Sequence, residues 1–323
     1  MHRPHLLLPL AAVVLAGAAC SRAANTEPAI LQQGTARPTK GRVTDHVIVI
    51  SVDGLRPDAI TKYNATTLQR LMREGRYSLT AQTISISRTL PAHTSMLTGV
   101  DADVHGIHWN SDKTGNFGYV KVPTVFGMAH QAGFSTAAIF SKTKFHHLEA
   151  PNTIDYVKSP KGKLALLPWP AQRTADYVEQ YLSHAKPNLL FVHIAETDFA
   201  AHQFGWMSGT YGRAIGEADL AVSRIIAKAD DTFGRGRYSV VLTSDHGGHD
   251  KTHGTTDPRD MTIPWIVWGA GVQHGDTLSG IRTMDTAATI LWMLGVSTPE
   301  SWTGRTVAAA FEPKVAVTAG TAR

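Results

Sequence analysis

Six acidic and imidazole side chains of this 323-residue sequence have the types and spacing of metal ligands: Asp53, Asp198, His202, Asp245, His246 and His253. Asp198 and His202 stand four residues apart, which places both on one face of a helical turn. Asp245 and His246 are adjacent, so a strand must end before them if both are to reach one centre. Six nitrogen and oxygen ligands suffice for two divalent ions with three protein ligands each, as in catalytic zinc sites. We therefore expect two ions, most readily Zn²⁺, with Mn²⁺ as the alternative.

The charge of such a centre indicates its substrate. Two divalent ions bring about four positive charges to three carboxylates, so about one net positive charge remains and attracts an anionic phosphoryl group. Paired ions about 3.5–4 Å apart can clamp the attacking and leaving oxygens of an in-line displacement. We therefore expect a small anionic phosphate ester as the substrate.

Thr89 is the candidate nucleophile. It lies in RTLPAHTSMLTG (88–99), where Pro91 suits the first turn of a helix and Gly99 its C-terminal stop. A hydroxyl at the N-terminus of this helix lies where backbone N–H groups favour an anion. Capping of the helix by Thr89 is the simpler role. A neutral hydroxyl is a poor nucleophile, and coordination to a metal ion would lower its pKa.

Buried strands are expected to position these residues. Five continuous apolar runs, rich in β-branched residues, alternate with segments of helical character, and the runs are 46–52, 134–140, 189–195, 238–243 and 263–268. Continuous runs are typical of strands that are covered on both faces. The helical segments are 59–74, 174–185, 214–229 and 283–294. This alternation predicts an α/β doubly wound fold with a mostly parallel sheet and helices on both faces.

Three of the runs end in acidic residues, at Asp53, at Glu196 to Asp198 and at Asp245. A single carboxylate at a strand end is usually a helix cap. In doubly wound folds, however, ligands bind beyond the carboxyl ends of the strands, and three such ends form one rim. We therefore expect the acidic side chains to converge there.

Composition excludes several classes of protein. Hydrophobic residues make up 43% and glycine adds 28 residues, which excludes a disordered or collagen-like chain. The net charge of +5 is spread without a Lys/Arg cluster, so no nucleic-acid polymer is expected as a partner. Because Cys20 is the single cysteine, an internal disulfide and a cysteine-rich metal site are both excluded.

The N-terminal sequence MHRPHLLLPLAAVVLAGAAC (1–20) has the pattern of an export signal. Arg3 precedes an apolar run too short to span a membrane comfortably, and small residues lead into Cys20. This resembles a bacterial lipoprotein signal, in which a lipidated Cys20 would attach the protein to a membrane. Gly17 stands where such signals usually carry leucine, and ordinary cleavage after Ala18 is the alternative. We expect a periplasmic or cell-envelope lipoprotein, or otherwise a secreted protein.

The remaining organisation follows from composition and pattern. The expected parts are a signal peptide (1–19), a polar tether (20–40), a single catalytic domain (41–312) with an irregular insert (145–170), and a tail (313–323).

From about residue 47 to residue 296 the chain resembles the alkaline phosphatase superfamily, most closely its type I phosphodiesterase/nucleotide pyrophosphatase branch. Six motifs in the expected order carry the resemblance: VISVDGLRPD (49–58), SRTLPAHTSMLTG (87–99), HGIHWN (105–110), ETDFAAH (196–202), TSDHGG (243–248) and THGT (252–255).

The resemblance implies a role for each candidate residue. Thr89 would form a covalent phospho-threonine and would share one zinc with Asp53, Asp245 and His246. The second zinc would be held by Asp198, His202 and His253. Asn110 would donate a hydrogen bond to a phosphoryl oxygen.

Two lysines follow the second strand in SKTK (141–144), which is similar to the lysine-bearing segment of phosphonoacetate hydrolases. Lys142 or Lys144 would then bind a substrate carboxylate or phosphate, and a solvated pair at a strand end is the alternative.

The predicted function is therefore an exported two-metal hydrolase of phosphate diesters. A phosphomonoesterase or a phosphonoacetate-type phosphonate hydrolase is the alternative within the same chemistry. A non-catalytic exported metal-binding protein is the remote alternative. The leaving group and the oligomeric state stay open.

Overall fold

The computed structural model describes residues 42–161 and 167–311, and a sheet of seven strands forms the centre of this part of the chain. The strands are β1 (Val47–Val52), β2 (Arg76–Gln82), β3 (Thr136–Phe140), β4 (Tyr156–Lys158), β5 (Leu189–Ile194), β6 (Ser239–Thr243) and β7 (Thr262–Gly269). Their order across the sheet is β2-β7-β6-β1-β5-β3-β4. Strands β6, β1, β5, β3 and β4 pair in parallel, whereas β7 is antiparallel to both β6 and β2.

Helices connect and cover these strands. Those of the described residues are α1 (Pro57–Lys62), α2 (Thr66–Glu74), α3 (Thr89–Thr98), α4 (Ala102–His105), α5 (Thr114–Phe117), α6 (Val125–Gln131), α7 (Ala171–Leu182), α8 (Glu196–Phe204), α9 (Gly209–Phe233), α10 (Pro258–Met261) and α11 (Asp285–Leu294). Each of the long predicted helical segments contains a helix. The segment 59–74 forms two helices, α1 and α2, because the chain turns between them at Asn64 with a φ of 52°.

Two hydrophobic cores cover the two faces of the sheet. Along β1, Val47 and Val49 belong to the core under α3, α6 and α11. Ile48, Ile50 and Val52 alternate with them and belong to the core under α1, α2, α7 and α9. Both faces of the strand are therefore buried, which explains its unbroken apolar sequence. The predicted doubly wound, mostly parallel sheet is confirmed.

The two strands at the sheet edges, β2 and β4, were not predicted. Strand β2 carries polar and charged residues along its length and pairs antiparallel with β7, with a bulge between Ser78 and Ala81. Strand β4 has three residues, too few to show a period.

The expectation of an irregular insert at 145–170 is corrected in part, because this segment contains β4, which pairs with β3. Phe145 and Leu148 of the same segment are fully buried in the core. A strand of three residues that includes a lysine has no pattern by which the sequence could reveal it.

The predicted signal peptide (1–19), lipidated Cys20, tether (20–40) and tail (313–323) lie outside the described residues. Among the helices that the structure does describe, none has the length and apolar character needed to cross a membrane.

Candidate metal centre and nucleophile

The three acidic strand ends meet at one rim of the sheet. Strands β6, β1 and β5 are parallel neighbours at its centre, so their carboxyl ends lie side by side. Asp53 directly follows β1, and Asp245 and His246 follow β6 after one residue. Helix α8 begins at Glu196, just beyond β5, and carries Asp198 in its first turn. The predicted convergence is therefore present.

We call Asp53, Asp245 and His246 the first cluster. His246 Nε2 lies 3.3 Å from Asp53 Oδ1 and 3.2 Å from Asp245 Oδ2. All three side chains are fully buried. Three potential ligands of mixed nitrogen and oxygen type thus face one another inside the protein.

Asp198, His202 and His253 form the second cluster. His202 Nε2 lies 3.3 Å and His253 Nε2 3.7 Å from Asp198 Oδ1. One ligand atom from each residue lies within 4.8 Å of those of the other two, which makes the group a possible metal site. The predicted helical spacing of Asp198 and His202 is realised on α8.

The two clusters adjoin each other. The rings of His246 and His253 stack with centroids 3.6 Å apart. Ligand atoms of Asp53, Asp198 and His246 also lie within 4.8 Å of one another. The six residues therefore form one continuous site.

Several buried polar atoms at this site have no hydrogen-bond partner among the described residues. These atoms are Asp53 Oδ1, Thr89 Oγ1, Asp198 Oδ1, Asp245 Oδ2 and His246 Nε2. A buried polar atom without a partner costs about 1–3 kcal/mol, so such atoms are uncommon. Their concentration at one place fits metal ions as the missing partners.

The histidine tautomers fit metal binding as well. The Nδ1 atoms of His202, His246 and His253 lie 2.8–3.0 Å from backbone carbonyl oxygens and donate to them. Each Nε2 atom therefore faces the carboxylates and is the ring nitrogen that a metal ion would take, in place of a proton. A carbonyl that accepts from the second nitrogen is the usual way to orient a metal-binding imidazole.

The electrostatics of the site favour cations. Burial alone would raise the pKa of Asp53, but Lys142, His193 and His246 outweigh it and hold that pKa well below its usual range. Burial lowers the pKa of His246, yet the carboxylates of Asp245 and Asp53 raise it to about 9. The aspartates therefore stay ionised and create a negative potential.

Thr89 is the first residue of α3 and is almost fully buried. Its Oγ1 caps no backbone N–H, and the N-cap position is taken by Arg88, so the capping alternative is wrong. His93 Nδ1 donates to the Thr89 carbonyl at 2.8 Å and lies 3.3 Å from Asp245 Oδ2. The start of α3 is thereby held beside the first cluster.

Asn110 lies at the same helix N-terminus. Its Oδ1 accepts hydrogen bonds from the backbone N–H of Leu90 at 3.0 Å and from Lys144 Nζ at 3.0 Å. The carbonyl side of the amide is thus engaged, and its Nδ2 has no partner among the described residues.

The two lysines occupy different places. Lys142 Nζ lies 2.6 Å from both Asp53 Oδ2 and Asp198 Oδ2, so it bridges the two clusters. Lys144 contacts Asn110, and burial together with Lys142 lowers its pKa to about 8. Neither is therefore part of a solvated pair at a strand end.

Gly247 and Gly248 directly follow the first cluster, at the end of a strand where a sharp turn would favour glycine. Neither has a positive φ. A Cβ on Gly247 would instead collide with the carbonyl oxygen of Arg259, and one on Gly248 with the ring of Trp206. Close packing, rather than backbone freedom, requires glycine here.

Two buried histidines beneath the site were missed from the sequence. His193 Nε2 donates to Asp53 Oδ2 at 3.0 Å, and its Nδ1 lies 3.1 Å from Ser141 Oγ. His93 Nε2 lies 2.8 Å from Ser51 Oγ, while its Nδ1 faces Asp245. Each of the two Ser–His–Asp chains is fully buried, so its serine cannot reach a substrate. The position of His193 inside the apolar run LLFVHI indicated a buried histidine. No comparable sequence pattern indicated that His93 would lie beneath the site.

The similarity of this chain to known proteins identifies its class. The family model described as type I phosphodiesterase/nucleotide pyrophosphatase matches residues 47–255. A GPI ethanolamine phosphate transferase 1 of Aspergillus oryzae is 28% identical over 141 residues, covering 36% of this chain and 14% of that protein. A bis(5′-adenosyl)-triphosphatase of Xenopus laevis is 25% identical over 230 residues, covering 63% of this chain and 47% of that protein. The chain thus spans about half the length, or less, of these relatives.

Solved structures share the fold. Murine ectonucleotide pyrophosphatase/phosphodiesterase 5 superposes with a TM-score of 0.66 at 15% sequence identity, covering 79% of this chain and 96% of that one. An inactive threonine-to-alanine form of the same murine protein in complex with AMP matches equally well. Because the family model covers about two thirds of the sequence, this chain belongs to the type I phosphodiesterase/nucleotide pyrophosphatase family.

Proposed function

We propose that this protein is a two-metal hydrolase of phosphate diesters in which Thr89 is the nucleophile. The concentration of buried atoms without hydrogen-bond partners carries the proposal, since Thr89 Oγ1 shares this property with one oxygen of each of the three aspartates and with His246 Nε2. The inactive threonine-to-alanine form of the murine relative that binds AMP supports a threonine at the centre of the chemistry.

The residues present fit two divalent ions. The first cluster with Thr89 would hold one, and the second cluster would hold the other. Bound divalent ions supply Lewis acidity, which lowers the pKa of a hydroxyl and stabilises negative charge on phosphoryl and leaving oxygens. We propose Zn²⁺, with Mn²⁺ as the alternative, because nitrogen and oxygen ligands without sulfur suit both.

The protein's own groups would orient the substrate. Thr89 Oγ1 would attack phosphorus and expel one ester group as an alcohol, which takes up the proton that the hydroxyl loses. Water would then cleave the Oγ1–P bond of the phospho-threonine, release the remaining phosphate monoester and restore the Thr89 hydroxyl. The backbone N–H groups at the start of the ten-residue helix α3 favour a phosphoryl oxygen at this place. Asn110 would donate from Nδ2, because Leu90 and Lys144 hold its Oδ1.

Lys144 supports an alternative substrate class. Lys144 is partly buried, and its ammonium lies 3.0 Å from the Asn110 amide oxygen, close to where a phosphoryl group would bind. A positive charge there favours a substrate with an additional anionic oxygen. A phosphomonoester or a phosphonate bearing a carboxylate therefore remains the second candidate.

A substrate panel on the zinc-loaded protein tests the proposal. It contains bis-p-nitrophenyl phosphate, p-nitrophenyl phosphate, a thymidine monophosphate p-nitrophenyl ester and phosphonoacetate. We expect the highest kcat/KM on the diesters. A ranking led by p-nitrophenyl phosphate or phosphonoacetate would favour the second candidate, and no hydrolysis of any substrate would contradict the proposal.

Replacement of Thr89 tests the nucleophile. We expect Thr89→Ala to lower kcat at least about 10³-fold, because no other residue takes the place of the covalent nucleophile. Metal content should stay near two ions per chain. Thr89→Ser retains the hydroxyl and should keep measurable turnover. A Thr89→Ala protein with wild-type rates would refute the covalent mechanism.

We also propose export, on the strength of the signal-like sequence 1–20 alone. Cell fractionation of wild type and Cys20→Ser is the test. If Cys20 is lipidated, wild type should stay in the membrane fraction and Cys20→Ser should be released from it.

A further inference from the structure

Lys142 occupies the junction of the two clusters. It lies just beyond β3, and its ammonium is 2.6 Å from Oδ2 of Asp53 and 2.6 Å from Oδ2 of Asp198. The side chain of Lys142 is 16% exposed, and those of the two aspartates are 0% and 5% exposed. Three charged groups are thus held together with little access to water.

The carboxylates divide their oxygens between two kinds of partner. Oδ2 of Asp53 accepts from Lys142 and His193, and Oδ2 of Asp198 accepts from Lys142. Oδ1 of each carboxylate has no hydrogen-bond partner among the described residues and lies 3.3 Å from a histidine Nε2. The ammonium and the expected metal ions therefore use different atoms and need not compete.

We propose that Lys142 is a positioning residue of the metal-loaded site: its ammonium stays on Oδ2 of Asp53 and of Asp198 and limits each carboxylate to one metal-binding oxygen. This inference rests on the proposed two-metal function and adds to it. Lys142 thus has a role other than substrate binding, and Lys144 is the lysine that would contact the substrate.

Two consequences follow from this arrangement. The ammonium adds about one positive charge to the site, so two divalent ions, three carboxylates and Lys142 leave about two net positive charges for an anionic substrate. The shared ammonium also connects the two clusters, because it fixes the orientation of one carboxylate from each.

Cobalt substitution gives a direct readout of this role. The visible absorption of Co²⁺ weakens as its coordination number rises from four to five. In Lys142→Met the Oδ2 atom of Asp198 is freed and can turn towards the metal, whereas that of Asp53 still accepts from His193, so we expect a weaker visible band than in wild type. We also expect kcat to fall about tenfold or more while the protein retains two ions per chain.

Lys144→Met is the matched control, since it removes an ammonium from the same segment without touching a carboxylate. Its cobalt spectrum should equal that of wild type, and its KM should rise. A Lys142→Met spectrum identical to wild type would overturn the inference. Failure of wild type to bind two cobalt ions would instead refute the proposed function, and the inference with it.

Amine labelling of wild type provides a test that needs no variant. Chelated and zinc-loaded protein is treated with acetic anhydride, and Lys142 is followed by mass spectrometry beside the exposed Lys121. If the ammonium stays on the carboxylates, Lys142 should be protected in both forms while Lys121 is labelled. Labelling of Lys142 in the zinc-loaded form would show that it leaves, which contradicts the inference.

Discussion

Individual side chains of this site are oriented by neighbours that carry no direct chemistry. Asp53 shows this most clearly, because Lys142 and His193 both bind its Oδ2 while Oδ1 stays without a partner. The ionised carboxylate of Asp53 can only accept, so it fixes the His193 proton on Nε2, and Nδ1 then accepts from the Ser141 hydroxyl. The chain Ser141–His193–Asp53 therefore presents one carboxylate oxygen to a metal.

Replacing His193 tests this orientation. We expect His193→Phe to weaken metal binding about tenfold or more, because loss of an outer hydrogen bond typically costs that much affinity. His193→Gln keeps a donor at a similar position and should retain most of the affinity. The measurement is the metal content per chain after dialysis against graded chelator. Equal metal retention by His193→Phe and wild type would contradict the assignment.

At the scale of elements, the two clusters depend on different parts of the fold. The first cluster lies on residues directly after β1 and β6, whose relative position is fixed by sheet hydrogen bonds. The second combines α8 with the segment around His253. That segment is bound to the one before α3, since His253 Nδ1 donates to Ser87 O and Ser87 Oγ donates to Thr255 O.

A change confined to α8 should therefore remove one metal selectively. We expect His202→Ala to bind about one ion per chain instead of two, because the first cluster keeps all its residues. Elemental analysis of zinc provides the measurement. The exposed His184→Ala is the matched control and should retain two ions. Two ions in His202→Ala, or none, would disagree with the division into clusters.

At the scale of the whole molecule, buried neutral histidines make stability depend on pH. His105 lies in the layer beside α3, with Nε2 3.0 Å from Ser95 Oγ, and burial lowers its pKa from 6.5 to about 3. His147 contacts Thr94, and burial lowers its pKa from 6.5 to about 4. Both remain neutral in the folded protein under conditions that protonate them in the unfolded chain.

Acid should consequently destabilise the metal-free protein. Between pH 6.5 and about 4 the unfolded chain takes up protons on these histidines and the folded chain does not. The free energy of unfolding should then fall by about 1.4 kcal/mol per pH unit for each histidine as the pH is lowered. Urea unfolding of wild type, His105→Gln and His147→Gln across this range gives the slopes. In each variant the slope of the unfolding free energy against pH should be smaller by about 1.4 kcal/mol per pH unit, the contribution of one histidine. A slope equal to that of wild type would count against the explanation.

The sequence alone predicted the parts of the molecule that depend on local pattern. The five central strand segments were recognisable because burial on both faces demands continuous apolar residues. Helix α3 was recognisable from Pro91 and Gly99, and it begins at Thr89 and ends at Thr98 as expected. Strand β2 was missed because it is partly polar and pairs with β7, which is distant in sequence, and β4 was missed because it has only three residues.

The residues around the metal candidates show the limit of the sequence. Acidic groups at three strand ends were enough to predict a shared rim, because parallel strands bring their carboxyl ends together. The tertiary structure alone decided that Lys142 bridges Asp53 and Asp198, that Lys144 contacts Asn110, and that His93 and His193 lie beneath the site. A sequence specifies which ionisable groups are present, but their partners are separated by tens to hundreds of residues. Only packing determines which oxygen of a carboxylate each partner takes.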